Sequence, residues 1–208
     1  MPTRLSSLSL ASNNFGGVLP ESISNFSTEL WFFSLHMNRL VGSIPSEIGN
    51  LINLQVLGMS SNPFSGNIPS DIRKLQKLQS FMLEDNKFHG EIPSSFANLT
   101  LLSFLSGSRN NRRGNIPSYI GTYQYLEAIR LDHNYLSGII PEEVGSLSLL
   151  LDLNLAYNKL SGSLPLEIGL LQNLETLDFS QNMLDGNIPT SLGSCVKFTS
   201  LNMKGNKL

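Results

Sequence analysis

Apolar and polar residues alternate along the chain in a pattern that is clearest between residues 150 and 173, LLDLNLAYNKLSGSLPLEIGLLQN. Seven apolar residues in this segment return at the same places when the sequence is shifted by 24 residues: Leu150, Leu153, Leu155, Leu160, Leu164, Ile168 and Leu171. A fixed period of this length is typical of proteins built by stacking one structural unit. The hydrophobic pattern therefore predicts a repeat architecture.

Asparagine, glycine and proline each recur at a fixed position of this period. The asparagines, spaced by 25 residues once and by 24 thereafter, are Asn13, Asn38, Asn62, Asn86, Asn110, Asn134, Asn158, Asn182 and Asn206. Each of the first eight is followed four residues later by glycine and seven residues later by proline. An amide side chain can donate and accept hydrogen bonds, so we expect a ladder of buried asparagines that satisfies backbone groups of successive turns.

The segments around each asparagine predict the local structure. Leu8 and Leu10 alternate with small polar residues before the first asparagine, which is the period of a half-buried strand. Ile48 and Leu51 follow a proline and are three residues apart, which suits a short 3₁₀ or α turn. Stacking such units predicts an α/β solenoid with a parallel sheet on its concave face and short 3₁₀ or α turns on its convex face.

Composition excludes some classes of function and leaves the predicted fold unchanged. The 208 residues carry a formal net charge of −2, which gives no reason to expect a nucleic acid partner. No apolar run reaches the ~18 residues of a membrane span, and the start, MPTRLSSLSL, lacks the features of a signal peptide. The single cysteine, Cys195, falls at a core position of the repeat, where a buried thiol is expected and a reactive one is the alternative.

No catalytic or metal-binding motif accompanies the repeats. The three histidines lie in different repeats without a zinc-ligand spacing, and no serine lies in a GxSxG sequence. We therefore expect a protein that is not an enzyme and that needs neither a cofactor nor a metal.

The predicted concave face offers a more specific candidate. Side chains between the strand leucines point to this face, and one column of them contains Asp85, Arg109, His133 and Tyr157. Beside this column lie Glu84, Asp132, Arg130 and Phe104. A peptide or protein ligand is expected here, with the arginines on its carboxylates and the aromatic rings as anchors. The alternative is that these charges only neutralise one another on a solvated surface, for ~0–1 kcal/mol.

The fifth repeat departs from the pattern. Gly107 replaces a strand leucine and Arg112 replaces the leucine two residues after the asparagine. We expect Arg112 to reach out to solvent or to deform its turn, and Tyr123 to fill part of the lost volume. We therefore expect residues 102–115 to be locally unstable. The departure from the pattern is either an irregularity near a ligand site or the result of drift in a decaying copy.

Two N-glycosylation sequons begin at Asn25 and Asn98. Both asparagines lie twelve residues after a ladder asparagine, on the side of the repeat away from the predicted strands. They are glycosylation candidates if the chain is secreted.

The consensus LxxLxLxxNxLxGxIPxxIGxLxx resembles the plant-specific leucine-rich repeat, and the resemblance covers the whole chain. It is similar to the extracellular part of plant leucine-rich-repeat receptor kinases and of receptor-like proteins without a kinase. The segment SNFSTEL followed by NRLVGSIPSEIGNL resembles the immune-receptor subfamily most.

The resemblance implies a ligand-sensing module at the extracellular face of the plasma membrane. Its partners would be a peptide or protein ligand and a leucine-rich-repeat co-receptor kinase. Residues 1–208 would form one leucine-rich-repeat domain of eight full repeats and part of a ninth.

The caps, membrane span and kinase domain of such receptors are missing from this sequence, so a fragment or a truncated gene product is expected. Two alternatives remain open. One is a secreted inhibitor similar to the polygalacturonase-inhibiting proteins, and the other is a non-functional truncated paralogue.

Overall fold

Each repeat folds into a strand, a bend at the asparagine, a second short strand and a 3₁₀ turn. This is seen in a computed structural model, which describes residues 4–208 without the side chain of Ser24. Residues 1–3, part of the start that lacks signal-peptide features, lie outside the described range. With strands numbered along the chain, the main sheet contains β1 (Ser7–Ser9), β3 (Phe32–Ser34), β5 (Val56–Gly58), β7 (Ser80–Met82), β9 (Phe104–Ser106), β11 (Ala128–Arg130), β13 (Asp152–Asn154), β15 (Thr176–Asp178) and β17 (Ser200–Asn202).

The main sheet has nine parallel strands in sequence order. Its register pairs equivalent positions of successive repeats, so that Ala128 lies between Phe104 and Asp152. Residues of equal phase therefore form continuous columns along the concave face, as the sequence predicted.

A second set of short strands follows the bend. Within the described residues these strands form separate parallel ladders of two or three strands on the flank of the solenoid. They are β2 (Gly16–Val18), β4 (Arg39–Val41), β6 (Ser65–Gly66), β8 (Lys87–Gly90), β10 (Asn111–Arg112), β12 (Ser137–Gly138), β14 (Lys159–Gly162) and β16 (Met183–Leu184).

The convex face consists of 3₁₀ turns, each preceded by one of the in-phase prolines. Proline suits this place for two reasons: its φ is fixed, and it has no N–H group that would need an acceptor at the entrance of the turn. The turns are η1 (Glu21–Asn25), η2 (Ser46–Asn50), η3 (Ser70–Lys74), η4 (Ser94–Asn98), η5 (Ser118–Thr122), η6 (Glu142–Ser146), η7 (Leu166–Leu170) and η8 (Thr190–Ser194). The prediction of short turns is confirmed, and all of them are 3₁₀.

The core lies between the main sheet and the turns. Strand residues such as Leu57, Phe81 and Ile129 are fully buried there. Cys195 is also buried, with its Sγ 3.5 Å from the carbonyl oxygen of Ile168, and burial raises the pKa of its thiol. The cysteine is thus a core residue, as predicted.

The asparagine ladder connects successive repeats through backbone groups. Asn158 donates to the carbonyl oxygens of Leu131, Leu155 and Ala156 at 3.0, 3.1 and 3.2 Å, and its Oδ1 accepts from the Leu136 amide at 2.9 Å. The same bonds recur at the other interior ladder positions, for example at Asn110. One amide side chain therefore satisfies backbone groups of two adjacent repeats, which confirms the predicted role.

The prediction for Arg112 in the fifth repeat is wrong, because the side chain neither reaches solvent nor deforms its turn. The residue is only 6% exposed, and its Nη1 donates to the carbonyl oxygens of His89 and Glu91 at 2.9 and 3.1 Å. Its guanidinium carbon lies 5.7 Å from the centroid of the Phe88 ring. These partners belong to the preceding repeat, and the parallel stacking brings them within reach of the side chain.

Burial of Arg112 remains unfavourable. Its Nη2 is buried without a hydrogen-bond partner among the described residues. Burial lowers the pKa of Arg112 to about 10, so the guanidinium is still charged at neutral pH. A cavity of about 20 Å³ lies beside it, where Gly107 supplies no side chain. This volume is enough for about one water molecule.

Tyr123 fills a different space from the one predicted. It is almost completely buried on the convex side, where η4 and η5 are less closely packed than the other successive turns. Its hydroxyl donates to the carbonyl oxygen of Phe96 at 2.9 Å, and Tyr119 donates to that of Pro93 at 2.7 Å. The two tyrosines thus bridge the wider gap between these turns, whereas the cavity beside Gly107 stays open.

Candidate ligand-binding site

The column formed by Asp85, Arg109, His133 and Tyr157 lies just before the asparagine ladder, at the end of the main strands. All four residues have left-handed backbone conformations, with φ between 51° and 54°. Their amides still donate to the next repeat, for example from Arg109 to the carbonyl oxygen of Asp132 at 2.9 Å. Ser61 shares the same conformation, so this backbone geometry belongs to the repeat and fixes the side-chain origins before any ligand arrives.

The column forms two neighbouring pairs. Arg109 Nη1 lies 3.5 Å from Asp85 Oδ1, and both side chains are largely exposed. The rings of His133 and Tyr157 are stacked with centroids 4.3 Å apart and an interplanar angle of 16°. The predicted adjacency of these residues across repeats is therefore present.

Arg130 is held by contacts within the protein. Its Nε donates to Asp152 Oδ2 at 2.6 Å, and its guanidinium lies over the Phe104 ring at 5.7 Å from the centroid. Asp152 also accepts from the Thr176 hydroxyl at 2.5 Å. Arg130 therefore already has a carboxylate partner, which reduces its capacity for the ligand carboxylate expected from the sequence.

Asp132 connects the two halves of the site. One of its carboxylate oxygens accepts a short hydrogen bond from Ser108 Oγ, and the other lies 2.8 Å from His133 Nδ1. Serine, aspartate and histidine are thus adjacent, but the serine donates to the aspartate and not to the histidine. This arrangement provides no base for a serine nucleophile, which needs a direct contact with the imidazole.

Six of the eight predicted concave residues line one open cavity of about 210 Å³. Its floor is formed by the small side chains of Ser106 and Ser108, and larger side chains of the adjacent repeats surround it. The lining residues are Glu84, Asp85, Phe104, Ser106, Ser108, Arg109, Arg130 and Asp132. His133 and Tyr157 lie outside this lining and are joined to it through Asp132.

The two serines were missed by sequence reasoning. Ser106 and Ser108 are 4% and 9% exposed, and each is the smaller member of a column that contains charged residues in the next repeat. A small residue between larger ones in the same column is the signal that could have predicted a depression.

A second feature that sequence reasoning missed lies on the flank where the main strands begin. Leu101, Tyr125 and Leu149 are exposed there and line a cavity of about 270 Å³ together with Glu127. Equivalent positions in other repeats form polar pairs, such as Lys77 with Asn53 at 2.6 Å. The apolar stretch is thus confined to the middle of the solenoid, at the same height as the concave cavity.

The two glycosylation candidates are accessible. Asn25 and Asn98 are exposed and are the last residues of η1 and η4, away from the main sheet. Sugars at these positions would leave the concave face free.

Two further kinds of site are absent from the described part of the chain. Between residues 4 and 208, no three His, Cys, Asp or Glu side chains are grouped so that they could hold a metal ion. No helix in the same range is long and apolar enough to cross a membrane.

Comparison with known proteins supports the assignment of the repeats. Residues 7–161 match the family described as "Leucine-rich repeat region", and residues 173–195 match "Leucine Rich Repeat". The receptor kinase-like protein Xa21 of Oryza sativa subsp. japonica is 56% identical over 55 residues, which are 26% of this chain and 5% of that protein.

Two solved structures are similar over nearly the whole chain. The Arabidopsis receptor kinase HAESA, in complex with the peptide hormone IDA and the co-receptor SERK1, has a TM-score of 0.94 and 32% identity. The plant peptide hormone receptor RGFR1, in complex with RGF2, has a TM-score of 0.91 and 34% identity. The chain aligns over 98% and 97% of its own length, and it spans 34% and 36% of theirs. This chain belongs to the leucine-rich-repeat family, and its repeats have the same fold as those in the HAESA and RGFR1 structures.

Proposed function

We propose that this chain is the ligand-sensing part of a plant cell-surface receptor and acts at the extracellular face of the plasma membrane. Residues 1–208 would act as one leucine-rich-repeat domain without catalytic activity of its own. Support comes from the similarity to HAESA, whose structure contains the peptide hormone IDA, and to the peptide hormone receptor RGFR1 in complex with RGF2.

The ligand-binding surface in this proposal is the concave face of repeats four to seven. The observation that carries it is the convergence of six predicted side chains on one cavity of about 210 Å³. A peptide or protein ligand would contact this cavity and the adjacent His133–Tyr157 stack. Exposed arginine and aromatic side chains beside a small depression are typical of residues that dominate binding energies.

A second partner is proposed on the same basis. The HAESA complex contains the co-receptor SERK1 in addition to the peptide. We infer that a leucine-rich-repeat co-receptor kinase joins this chain once a ligand is bound.

Peptide binding by the isolated chain would test the proposal. The fluorescently labelled protein is incubated on an array of random nonapeptides, together with the variants Arg109→Ala and Tyr157→Ala. Removing a central anchor commonly costs more than about 1 kcal/mol, or roughly fivefold in affinity, so both variants should lose most of the signal. Ser61→Ala is the matched control, because Ser61 has the same place and backbone conformation in the third repeat.

The array also separates the concave face from the flank. Loss of signal in Tyr125→Ala, with Arg109→Ala unaffected, would place binding on the flank and contradict the concave site. Capture of a cell-wall-degrading enzyme, with no peptide retained, would favour the inhibitor alternative over the receptor.

A further inference from the structure

The concave cavity has an excess of carboxylates over available cations. Glu84, Asp85 and Asp132 line it together with two guanidinium groups. Arg130 is already paired with Asp152, which lies outside the lining. Arg109 faces Asp85, with its Nη1 3.5 Å from Oδ1. Both guanidinium groups of the lining therefore already have a carboxylate neighbour.

The three carboxylates differ in how well they are satisfied. Asp132 receives the Ser108 hydroxyl on one oxygen and has His133 on the other. Asp85 is exposed and has Arg109 nearby. Glu84 lines the open cavity, and its Oε2 is buried without a hydrogen-bond partner among residues 4–208.

A carboxylate with one oxygen shielded from water lacks part of its solvation, and a cationic donor that contacts the other oxygen from the cavity would compensate for this. A metal ion is not indicated, because the described residues provide no group of three possible ligands. The fitting donor is an organic cation, since a guanidinium or ammonium group forms strong charge-assisted hydrogen bonds to a carboxylate.

We propose that the ligand places a basic side chain, arginine or lysine, in the concave cavity and that Glu84 receives it. This inference rests on the proposed function and specifies the chemistry of its site. The ligand's charge is then opposite to that expected from the sequence, where the arginines were assigned to ligand carboxylates.

The test uses arrays in which every random nonapeptide is present with a central arginine and with a central citrulline. Citrulline keeps the size of arginine but is neutral. A charge-assisted hydrogen bond contributes about 1.5–3 kcal/mol, so the wild-type chain should prefer the arginine versions by about tenfold or more. In Glu84→Gln, which keeps the side-chain shape, the ratio should fall to about one.

Glu175→Gln is the control, since Glu175 is an exposed carboxylate just before β15, outside the cavity. It should keep the wild-type preference. The melting temperature of Glu84→Gln should not fall, because the substitution removes an unpaired carboxylate, and this separates a binding defect from misfolding.

The outcomes distinguish this inference from the proposed function. Equal binding of arginine and citrulline peptides, or an unchanged preference in Glu84→Gln, overturns the inference. If such peptides still require Arg109 and Tyr157, the proposed function stands. If the wild-type chain retains neither version of any peptide, both are overturned.

Discussion

At the residue scale, the fold depends on side chains that form hydrogen bonds with backbone groups at the bends between strands. The interior asparagines donate to three carbonyl groups and accept from one amide, as Asn158 does. Arg112 acts similarly on two carbonyl groups of the preceding repeat, but it carries a buried charge. The two residues should therefore respond to substitution in opposite directions.

Asn158→Asp should be strongly destabilising although it changes the side-chain size very little. The carboxylate keeps an acceptor for Leu136 but cannot donate. Each of the three carbonyl oxygens then keeps one other donor, from Asn134, Asn182 or the His133 amide, but faces a buried negative charge. A buried charge without a partner typically costs about 3–5 kcal/mol, so we expect a loss of ~3 kcal/mol or more in urea unfolding. Asn187→Asp, at an exposed position, should change the unfolding free energy by less than ~0.5 kcal/mol. Equal stability of the two variants would contradict the ladder's role.

Arg112→Leu should stabilise the chain. Leucine occupies the equivalent position as Leu136 and Leu160 in the next two repeats, where it is fully buried. Replacing a buried charged group by an apolar one of suitable size is often stabilising by ~1–4 kcal/mol, which outweighs the two lost carbonyl contacts. Thermal unfolding should show a higher midpoint. Arg113→Leu is the matched control at an exposed neighbour, and a lower midpoint for Arg112→Leu would contradict the prediction.

At the scale of the elements, η4 and η5 are joined by side chains to an unusual degree. Tyr119 and Tyr123 of the fifth repeat donate their hydroxyls to carbonyl groups of η4 or just before it. The bulk of the two rings accounts for the wider separation of these turns, and their hydroxyl groups restore polar contacts across it.

Tyr123→Phe should therefore weaken the contact between η4 and η5. The substitution keeps the ring but removes one of two donors to the Phe96 carbonyl oxygen, which also accepts from the Leu99 amide at 2.8 Å. The loss of one hydrogen bond should cost about 0.5–1.5 kcal/mol. Urea unfolding measures the change. Tyr125→Phe, two residues away and exposed, should be neutral, and a similar loss in both variants would contradict the assignment.

The same tyrosines should make stability sensitive to alkaline pH. Burial raises the pKa of Tyr119 and of Tyr123 above the ordinary value of 10.0. The neutral phenol is thus favoured in the folded state, so its contribution is complete below pH 10 and is lost as the pH rises above the unfolded pKa. The midpoint of thermal unfolding should begin to fall near pH 10, the unfolded pKa of tyrosine, and should fall further as the pH rises above it. In the Tyr119→Phe, Tyr123→Phe double variant this fall should be smaller.

At the scale of the whole molecule, the solenoid is a chain of nearest-neighbour contacts, and its stability is approximately their sum. The main sheet is continuous through the fifth repeat, where the Gly107 amide still donates to the carbonyl oxygen of Arg130 at 2.8 Å. The defects of this repeat are the cavity beside Gly107 and the charge of Arg112, both behind the sheet.

Hydrogen exchange should reveal this repeat as a weak point. A missing core side chain typically costs ~2–5 kcal/mol, depending on how far the site collapses, so amides between residues 102 and 115 should exchange faster than their equivalents in repeats six and seven. Mass spectrometry of peptic fragments would measure the profile. Equal protection in all three repeats would show that the hydrogen bonds of the sheet compensate for the defect.

The sequence by itself determined the period, the parallel sheet, the short convex turns and the column to which each side chain belongs, whereas the structure showed that the turns are all 3₁₀. The sequence could do so because a solenoid maps phase in the sequence directly onto position in space. Only the tertiary structure decided how side chains of different repeats meet. Arg130 turns to Asp152 and Arg112 to the preceding carbonyl groups, while Ser106 and Ser108 leave a depression and Glu84 has no donor. These choices depend on distances and packing between residues about 24 positions apart, which the pattern of one repeat does not contain.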